Sequence, residues 1–289
     1  MTHFTKHKLS MYRPKQVILL LGLSLALPLG LSAGVRPKAT PSPLLKDSSA
    51  YRQALSYHLD RPARSMMEEL PLGNGRLGML SDGGVQRQRI TLNESSMWSG
   101  SIDSTALNPE AAKHLPEIRQ LLFAGKAKEA EALMYRTFVC GGKGSGHGSG
   151  AKVPYGSYEV GGFLHLDWTR APQLSAYRRS LDLQEGISTE RLEVAGSPYR
   201  LKTLYSSMTQ DVQVLHIENL SPEAKSDTLR LTLSRPECGQ TAVMGGMLTM
   251  SGALSDGKGG QGLHYAILAK PVLPEGGQLI SEGQELLVV

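Results

Sequence analysis

The sequence predicts an all-β protein: a large antiparallel β-sandwich (supersandwich), with one or two short helices inserted after a first motif. Apolar and polar residues alternate with a period of two in nine short runs that begin near residue 160. Glycine, proline, asparagine and serine separate these runs at short intervals, as turns between strands require. The chain has 289 residues, of which 40% are hydrophobic, so it can bury a substantial core. Many closely spaced strands with few helices favour packed antiparallel sheets.

The first 33 residues indicate an export signal. They carry basic residues without any acidic one, namely Lys6, Lys8, Arg13 and Lys15. An apolar run over 17–31 and the small residues Ser32-Ala33-Gly34 follow, so we expect cleavage after Ala33 and a secreted or periplasmic protein. A membrane anchor is the alternative, but spanning a bilayer takes about twenty apolar residues. This run is shorter and contains Pro28, so we expect no stable membrane span after cleavage.

Charge and cysteine content narrow the function classes further. The net charge is +5, but four of the basic residues lie in the leader. The rest of the chain has 27 basic and 26 acidic side chains, and this near-neutral balance argues against a nucleic-acid partner. Residues 34–50 have the composition of a flexible lead-in, and 51–289 form the predicted sandwich domain. Cys140 and Cys238 could form one disulfide or remain two free thiols. No CxxC spacing includes them and no HxxxH spacing lies beyond the leader, so we expect no metal site, and we expect no cofactor.

The predicted elements follow the chain in order. A short strand and a loop precede residue 70, and helices are expected from Asn108-Pro109, restarting at Pro116 and ending at Gly125, and over 126–136. The glycine-rich run 141–150 predicts a loop. The nine alternating runs predict strands over 164–168, 177–183, 187–194, 199–205, 212–218, 229–233, 247–250, 263–269 and 285–289.

The stretch 69–100 carries the candidate site residues. Glycines around Asn74 predict a tight turn, whereas the missing βαβ context and the missing Lys-Ser/Thr pair argue against a phosphate-binding loop. Glu94 follows a strand and precedes Trp98, and a carboxylate beside an indole could hydrogen-bond sugar hydroxyls while the ring stacks on a sugar face. Asn74, Glu94 and Trp98 are therefore the candidate substrate-binding residues. The structural alternative, in which Glu94 caps a turn and Trp98 fills the core, is favoured by residue types alone.

The other carboxylates on strands are expected to face solvent because they alternate with apolar residues. They are Glu159, Asp182, Glu185, Glu190, Glu193 and Glu218. The body contains no nucleophile elbow, Ser/His/Asp order or metal-ligand spacing. No catalytic residue is assigned.

Several segments together resemble the N-terminal domain of glycoside hydrolase family 95, the α-L-fucosidases. They are Leu70-Pro-Leu-Gly-Asn-Gly-Arg-Leu-Gly78, Leu92-Asn-Glu-Ser-Ser-Met-Trp-Ser-Gly100, Asn108-Pro-Glu-Ala111, Ile118-Arg-Gln-Leu-Leu122 and Tyr177-Arg-Arg-Ser-Leu-Asp-Leu183. The resemblance implies a β-sandwich that in this family precedes an (α/α)6 barrel, which carries the acid and base for inverting hydrolysis of terminal fucose. None of that barrel is recognised in these 289 residues.

The resemblance sets two functional expectations. The first is the sandwich domain of a secreted α-L-fucosidase-like hydrolase, inactive alone because the catalytic barrel is missing. The second is a non-catalytic carbohydrate-binding or docking module that pairs with a separate catalytic chain. The expected partners are fucosylated glycans or a catalytic barrel domain.

Overall fold

The computed structural model describes residues 55–103, 107–139, 152–235 and 239–289, together with the backbone of 16–23. Two compact units divide the chain. The first comprises 1–95, 160–251 and 265–289, and the second comprises 96–159 and 252–264. The predicted lead-in, the glycine-rich run 141–150, and Cys140 and Cys238 lie outside the described residues.

Strands dominate the described residues. In chain order they are β1 (Gln16–Leu23), β2 (Ser56–Leu59), β3 (Leu70–Gly73), β4 (Leu77–Ser81), β5 (Arg87–Glu94), β6 (Gly162–Trp168), β7 (Ala176–Asp182), β8 (Ile187–Val194), β9 (Ser197–Ser206), β10 (Val212–Asn219), β11 (Leu229–Ser234), β12 (Gly239–Met244), β13 (Met247–Ser255), β14 (Gln261–Val272), β15 (Leu279–Glu282) and β16 (Glu285–Val288). Helices α1 (Leu115–Phe123), α2 (Ala127–Thr137) and α3 (Pro222–Lys225) complete the set with two 3-10 turns, Met66–Glu68 and Ala111–His114.

Two sheets hold these strands. One has nine strands in the order β12-β13-β14-β1-β10-β9-β8-β7-β2, and the other has seven in the order β15-β16-β11-β6-β5-β4-β3. Each described register is antiparallel, as in β9 against β10 and β5 against β6. Alternation along β6 buries Leu164 and Leu166 completely and leaves His165 half-buried. The predicted all-β sandwich is therefore confirmed, because the period of two sends every second side chain into the core.

The predicted strands agree with the observed strands in their positions along the chain. All nine predicted runs coincide with strands, from β6 to β11, β13, β14 and β16, with ends that differ by a few residues. β12 and β15 were not predicted, since these four- to six-residue strands lack a clear alternation of apolar residues. The glycines around Asn74 form the turn between β3 and β4, in which Gly75 has a φ of +89°.

The apolar run of the predicted leader contributes a strand in the structure. The backbone of β1 pairs with β10 on one side, with Gln16 opposite Glu218, and with β14 on the other, with Ile18 opposite Val272. A segment removed on export could not remain in this position. Cleavage after Ala33 therefore stays a prediction. If it occurs, β10 and β14 lose the strand that lies between them, and their edges need another hydrogen-bonding partner.

The second unit contains the predicted helices. The 3-10 turn Ala111–His114 leads into α1, whose second residue is Pro116, so the proline begins the helix rather than breaking it. Gly125 then reverses the chain with a φ of +72° before α2. Ile118, Ala130 and Leu133 pack together and are buried. In the part of the chain that the structure describes, neither helix is long and apolar enough to cross a membrane, nor is any other.

Candidate functional site

Asn74 uses its amide group to build the turn between β3 and β4. Its Oδ1 accepts hydrogen bonds from the backbone N–H groups of Arg76, at 3.0 Å, and Leu77, at 2.8 Å. Its Nδ2 donates to the carbonyl oxygen of Ser207 at 2.8 Å, which ties the turn to the loop between β9 and β10. These contacts are those of an Asx turn. Both ends of the Asn74 amide are therefore engaged within the protein.

Glu94 lies at the end of β5 with only 2% of its surface exposed, next to Arg76. The Arg76 Nε donates to Glu94 Oε1 at 3.1 Å, and its Nη1 donates to Asp211 Oδ2 at 2.6 Å. The hydrogen bond that Arg76 donates to Glu94, together with the charge of Asp211, raises the pKa of Arg76. A buried carboxylate requires such a cation, because an uncompensated charge is costly away from water. Asn74, Arg76 and Glu94 thus form one cluster in the first unit.

Trp98 belongs to the second unit and lies against Tyr158. The ring centroids are 6.1 Å apart with an interplanar angle of 52°, and the two residues form an antiparallel bridge. Trp98 is 53% exposed and Tyr158 is 46% exposed. The expectation that Trp98 fills the core is therefore wrong. Two accessible aromatic faces are suited to stacking on the apolar face of a sugar.

The backbone beneath these rings is closely packed. Ser99 N–H donates to the Ser157 carbonyl at 2.9 Å, and Ser157 N–H donates back to Ser99 Oγ at 2.9 Å. Gly156 has a φ of +76°, and a Cβ there would lie 2.0 Å from the carbonyl oxygen of Ser99. Only glycine fits at this close approach. The exposed rings are consequently held on a backbone that allows little adjustment.

A buried polar network in the first unit was missed by sequence reasoning. Glu190 was expected to face solvent, but it is 1% exposed, and its Oε2 lies 2.6 Å from Lys202 Nζ. Gln88 Nε2 and Ser81 Oγ both donate to Glu190 Oε1, at 2.8 and 2.7 Å. The prediction that Glu190 faces solvent is wrong because the ammonium group of Lys202 is buried beside it and compensates its charge. The other five predicted solvent-face carboxylates are exposed or half-buried.

Lys202 shares this environment. It is fully buried, donates to Gln88 Oε1 at 2.5 Å and to the Gly84 carbonyl at 2.9 Å, and carries a pKa lowered by burial, which Glu190 opposes. Glu190 and Lys202 stand directly opposite each other on β8 and β9. Gln88 comes from the seven-stranded sheet, so the network joins the two sheets across the core. This pairing across neighbouring strands explains the burial of Glu190, and the sequence of either strand alone does not reveal it.

A second buried ion pair lies elsewhere in the first unit. Arg200 and Asp227 are joined at 3.0 Å with both side chains fully buried, and the Arg200 guanidinium lies 3.3 Å from the ring centroid of Trp168. Burial lowers the pKa of Arg200, while the hydrogen bond that Arg200 donates to Asp227 opposes this shift. Asp227 Oδ1 also accepts from Thr169 Oγ1 at 2.7 Å. The two buried charges therefore compensate each other.

Comparison of the sequence with known proteins identifies a family and two relatives. The model of the glycosyl hydrolase family 65 N-terminal domain matches residues 57–289. The chain belongs to this family. Among its relatives, "Alpha-L-fucosidase 2" of Arabidopsis thaliana is 27% identical over 60% of this chain and 19% of its own length. "Probable alpha-fucosidase A" of Aspergillus niger is 29% identical over 52% of this chain and 18% of its own length.

These matches confirm the resemblance to the N-terminal domain of α-fucosidases. The family number 95 stays a prediction, and the matched domain model carries the number 65. The chain spans about a fifth of the length of the two relatives. In the described residues of this family 65 N-terminal domain, no group of three or more histidine, cysteine, aspartate and glutamate side chains could hold a metal ion.

Proposed function

We propose that this chain is the sandwich domain of a secreted α-L-fucosidase-like glycoside hydrolase, and that it does not cleave fucosides by itself. The match to a glycosyl hydrolase N-terminal domain over 57–289 carries the proposal. The α-fucosidase names of the two relatives supply the substrate class. Most of each relative lies beyond the matched part, so hydrolysis would use residues outside this domain.

The charge environment of the buried acids supports the non-catalytic part of the proposal. Inverting hydrolysis needs one carboxylic acid that donates a proton and one carboxylate that activates water. Each buried acid of the described residues instead lies beside a cation. The pairs are Glu69 with Arg89, Glu94 with Arg76, Glu190 with Lys202, and Asp227 with Arg200. Such pairs compensate the charge of each buried acid within the protein.

The test uses the natural class of substrate. The purified, folded chain is incubated with fucosyllactose, and free fucose is measured against a sample without protein. The proposal predicts no release above that background, with circular dichroism confirming a β-rich fold. Release of fucose that a single substitution in this chain abolishes would contradict it.

Export is the second part of this proposal, and it rests on the composition of residues 1–33. Expression in a bacterium with an intact secretion system, followed by mass measurement of the exported product, tests it. The expected mass is that of a chain beginning at Gly34. An exported or retained product of full length would refute cleavage and favour a lasting role for β1 in the sheet.

A carbohydrate-binding module is the second candidate function, and the exposed pair of Trp98 and Tyr158 favours it. Isothermal titration with fucosyllactose would compare the parent chain with Trp98→Ala. Tyr57, which is 60% exposed in the first unit, provides the matched control Tyr57→Ala. The module hypothesis predicts loss of measurable heat for Trp98→Ala only. Equal heats in all three proteins, or none in the parent, would exclude recognition by this pair.

Docking onto a separate catalytic chain is the remaining form of that candidate. The helical hairpin of the second unit exposes large apolar side chains, namely Leu122, Phe123, Met134, Tyr135 and Phe138. Exposed apolar patches of this kind mark interaction surfaces in soluble proteins. Co-purification with a barrel-containing glycoside hydrolase from the same genome should be lost in a Phe123→Ser/Tyr135→Ser variant. Retention by the variant would rule out this surface.

A further inference from the structure

The nine-stranded sheet depends on β1 for its continuity. The backbone of β1 pairs with residues 212–218 of β10 and with residues 267–272 of β14, all within the first unit. Without β1 the sheet breaks between β10 and β14, with β12, β13 and β14 on one side and the other five strands on the other. We call the position between β10 and β14 the strand slot.

An empty strand slot would expose two facing strand edges. In antiparallel sheets the N–H and C=O groups of alternate residues point to opposite neighbours, so half of those along 212–218 and 267–272 point into the slot. The slot also borders the core: Leu215 and Ala269 have no exposed surface, and Ile217 and Ile267 are buried. Edges of this kind readily pair with another strand.

The register of β1 defines the pattern that an occupant of the slot needs. Positions 17 and 19 are opposite Ile217 and Leu215, and directly opposed residues share a face of the sheet. An occupant therefore completes the buried face with apolar residues at every second position. The alternate positions are opposite His216, which is half-buried, and Lys270, which is exposed, so polar residues fit there. Proline does not fit, because it has no N–H for either ladder.

The predicted lead-in of the processed chain does not match this pattern. Residues 34–50 contain Pro37, Pro41 and Pro43, and the polar run Lys46-Asp47-Ser48-Ser49 follows. Prolines remove ladder donors, and four consecutive polar residues interrupt the alternation of apolar side chains. The lead-in is therefore a poor replacement for β1.

We propose that the strand slot binds an apolar, proline-free strand of a partner chain, antiparallel to both β10 and β14, and that removal of the leader opens it. The inference rests on the proposed cleavage after Ala33, and it gives the docking candidate a defined site in the first unit. Ladder hydrogen bonds to two neighbours supply the affinity, and alternate apolar side chains supply the specificity. An attached leader fills the slot, so cleavage controls docking.

The experiment compares the exported product that begins at Gly34 with the uncleaved 289-residue chain. The probe is a fluorescent peptide with the sequence of residues 16–23 between pairs of lysines that keep it soluble. Fluorescence anisotropy should show binding to the product and at least tenfold weaker binding to the uncleaved chain. A peptide with the same side chains but N-methyl groups at positions 19 and 21 is the matched control. It lacks two ladder donors and should bind the product at least tenfold more weakly.

Amide hydrogen exchange locates the bound peptide. Protection of the product should rise within 212–218 and 267–272 and stay unchanged within 187–194, because β8 keeps both of its neighbours. A product that is unfolded alone should gain β structure by circular dichroism when the peptide is added. The proposal is overturned if the product neither binds the peptide nor folds with it, or if the N-methylated peptide binds equally well. Protection outside the slot, or a dimer of the product that excludes the peptide, also overturns it.

A proline variant separates failure of this proposal from failure of the proposed cleavage. An uncleaved mass after export refutes cleavage, and the slot is then tested in the 289-residue chain. Leu19→Pro/Leu21→Pro removes two donors from the β1 ladder and should open the slot. Peptide binding at least tenfold tighter than that of the parent chain supports strand acceptance. Equal binding by the variant and the parent overturns it.

Discussion

The two compact units differ in the side chains that depart from the usual pattern of apolar residues inside and charged residues outside. The first unit buries charge: Lys202 and Arg200 have no exposed surface, and each is joined to a carboxylate. The second unit exposes apolar surface, with Phe123 91% exposed, Tyr135 76% and Trp98 53%. Buried charges fix how two sheets pack, whereas exposed aromatic groups are available to a ligand or a partner. The buried ion pairs are therefore features of the first unit, whereas the exposed aromatic pair Trp98 and Tyr158 belongs to the second.

Removing the buried cation Lys202 is expected to have the largest effect on stability. Lys202→Met leaves Glu190 and Gln88 buried without their cation, and we expect a loss of about 3–5 kcal/mol in the free energy of unfolding. Lys225→Met changes an exposed lysine of α3 and should cost less than about 0.5 kcal/mol. Urea unfolding, followed by circular dichroism, measures both.

A double variant separates charge compensation from packing. Replacing Glu190 by leucine together with Lys202→Met removes both buried charges, so its cost should be smaller than the sum of the two single changes. Simple additivity would mean that Glu190 and Lys202 contribute independently. The buried pair would then have no coupling that joins the sheets.

Gly156 offers the next largest effect, this time in the second unit. Gly156→Ala places a methyl group against the carbonyl oxygen of Ser99, and the positive φ adds strain, so we expect a cost of about 3 kcal/mol. Gly186→Ala is the matched control, because Gly186 has a φ of +65° but nothing within 4 Å of the added Cβ. Its cost should be about 1 kcal/mol.

Amide hydrogen exchange measures whether Gly156→Ala loosens the backbone near Ser99 and Ser157. Protection of the Ser99 and Ser157 amides, which bond across this site, should fall in Gly156→Ala and stay unchanged in Gly186→Ala. Equal protection in both variants would mean that the backbone under Trp98 and Tyr158 is adaptable. The second unit would then lack the rigid platform described above.

The smallest expected effect depends on pH and concerns Asp82. Burial raises the pKa of this carboxyl above its ordinary value. Folding therefore favours the protonated form, so the stability linked to Asp82 is present at low pH and is lost as the pH rises through the raised pKa. Asp82→Asn stays neutral and can still accept from Gly84 and Arg89. Its thermal midpoint should exceed that of the parent at pH 7 and match it near pH 3, and a constant difference would contradict this.

The sequence predicted strands well and buried charges poorly, for one physical reason. A period of two reveals that a strand has two faces but does not say which face is inside. In β8, Ser188, Glu190 and Leu192 share the buried face, and only the opposite position of Lys202 on β9 explains an acid there. The burial of Glu190 thus depends on a residue twelve positions away. Local pattern could not supply it.

The role of Asn74, Glu94 and Trp98 in substrate binding stays a prediction. In the structure Asn74 and Glu94 meet through Arg76. That meeting depends on Asp211 and Ser207 in a distant loop, which no motif connects with them. Trp98 was expected inside the core because tryptophan is large and apolar. The bridge to Tyr158, sixty residues later, instead holds it at the surface.

The most direct test of the account is the hydrolysis of nitrophenyl α-L-fucoside by the purified chain, measured beside its Glu94→Gln and Asp211→Asn variants. These changes neutralise the two carboxylates that contact Arg76 at the predicted site. We predict that all three proteins release nitrophenol no faster than buffer. A parent rate above buffer that either variant abolishes would show a catalytic site within this domain and would contradict it.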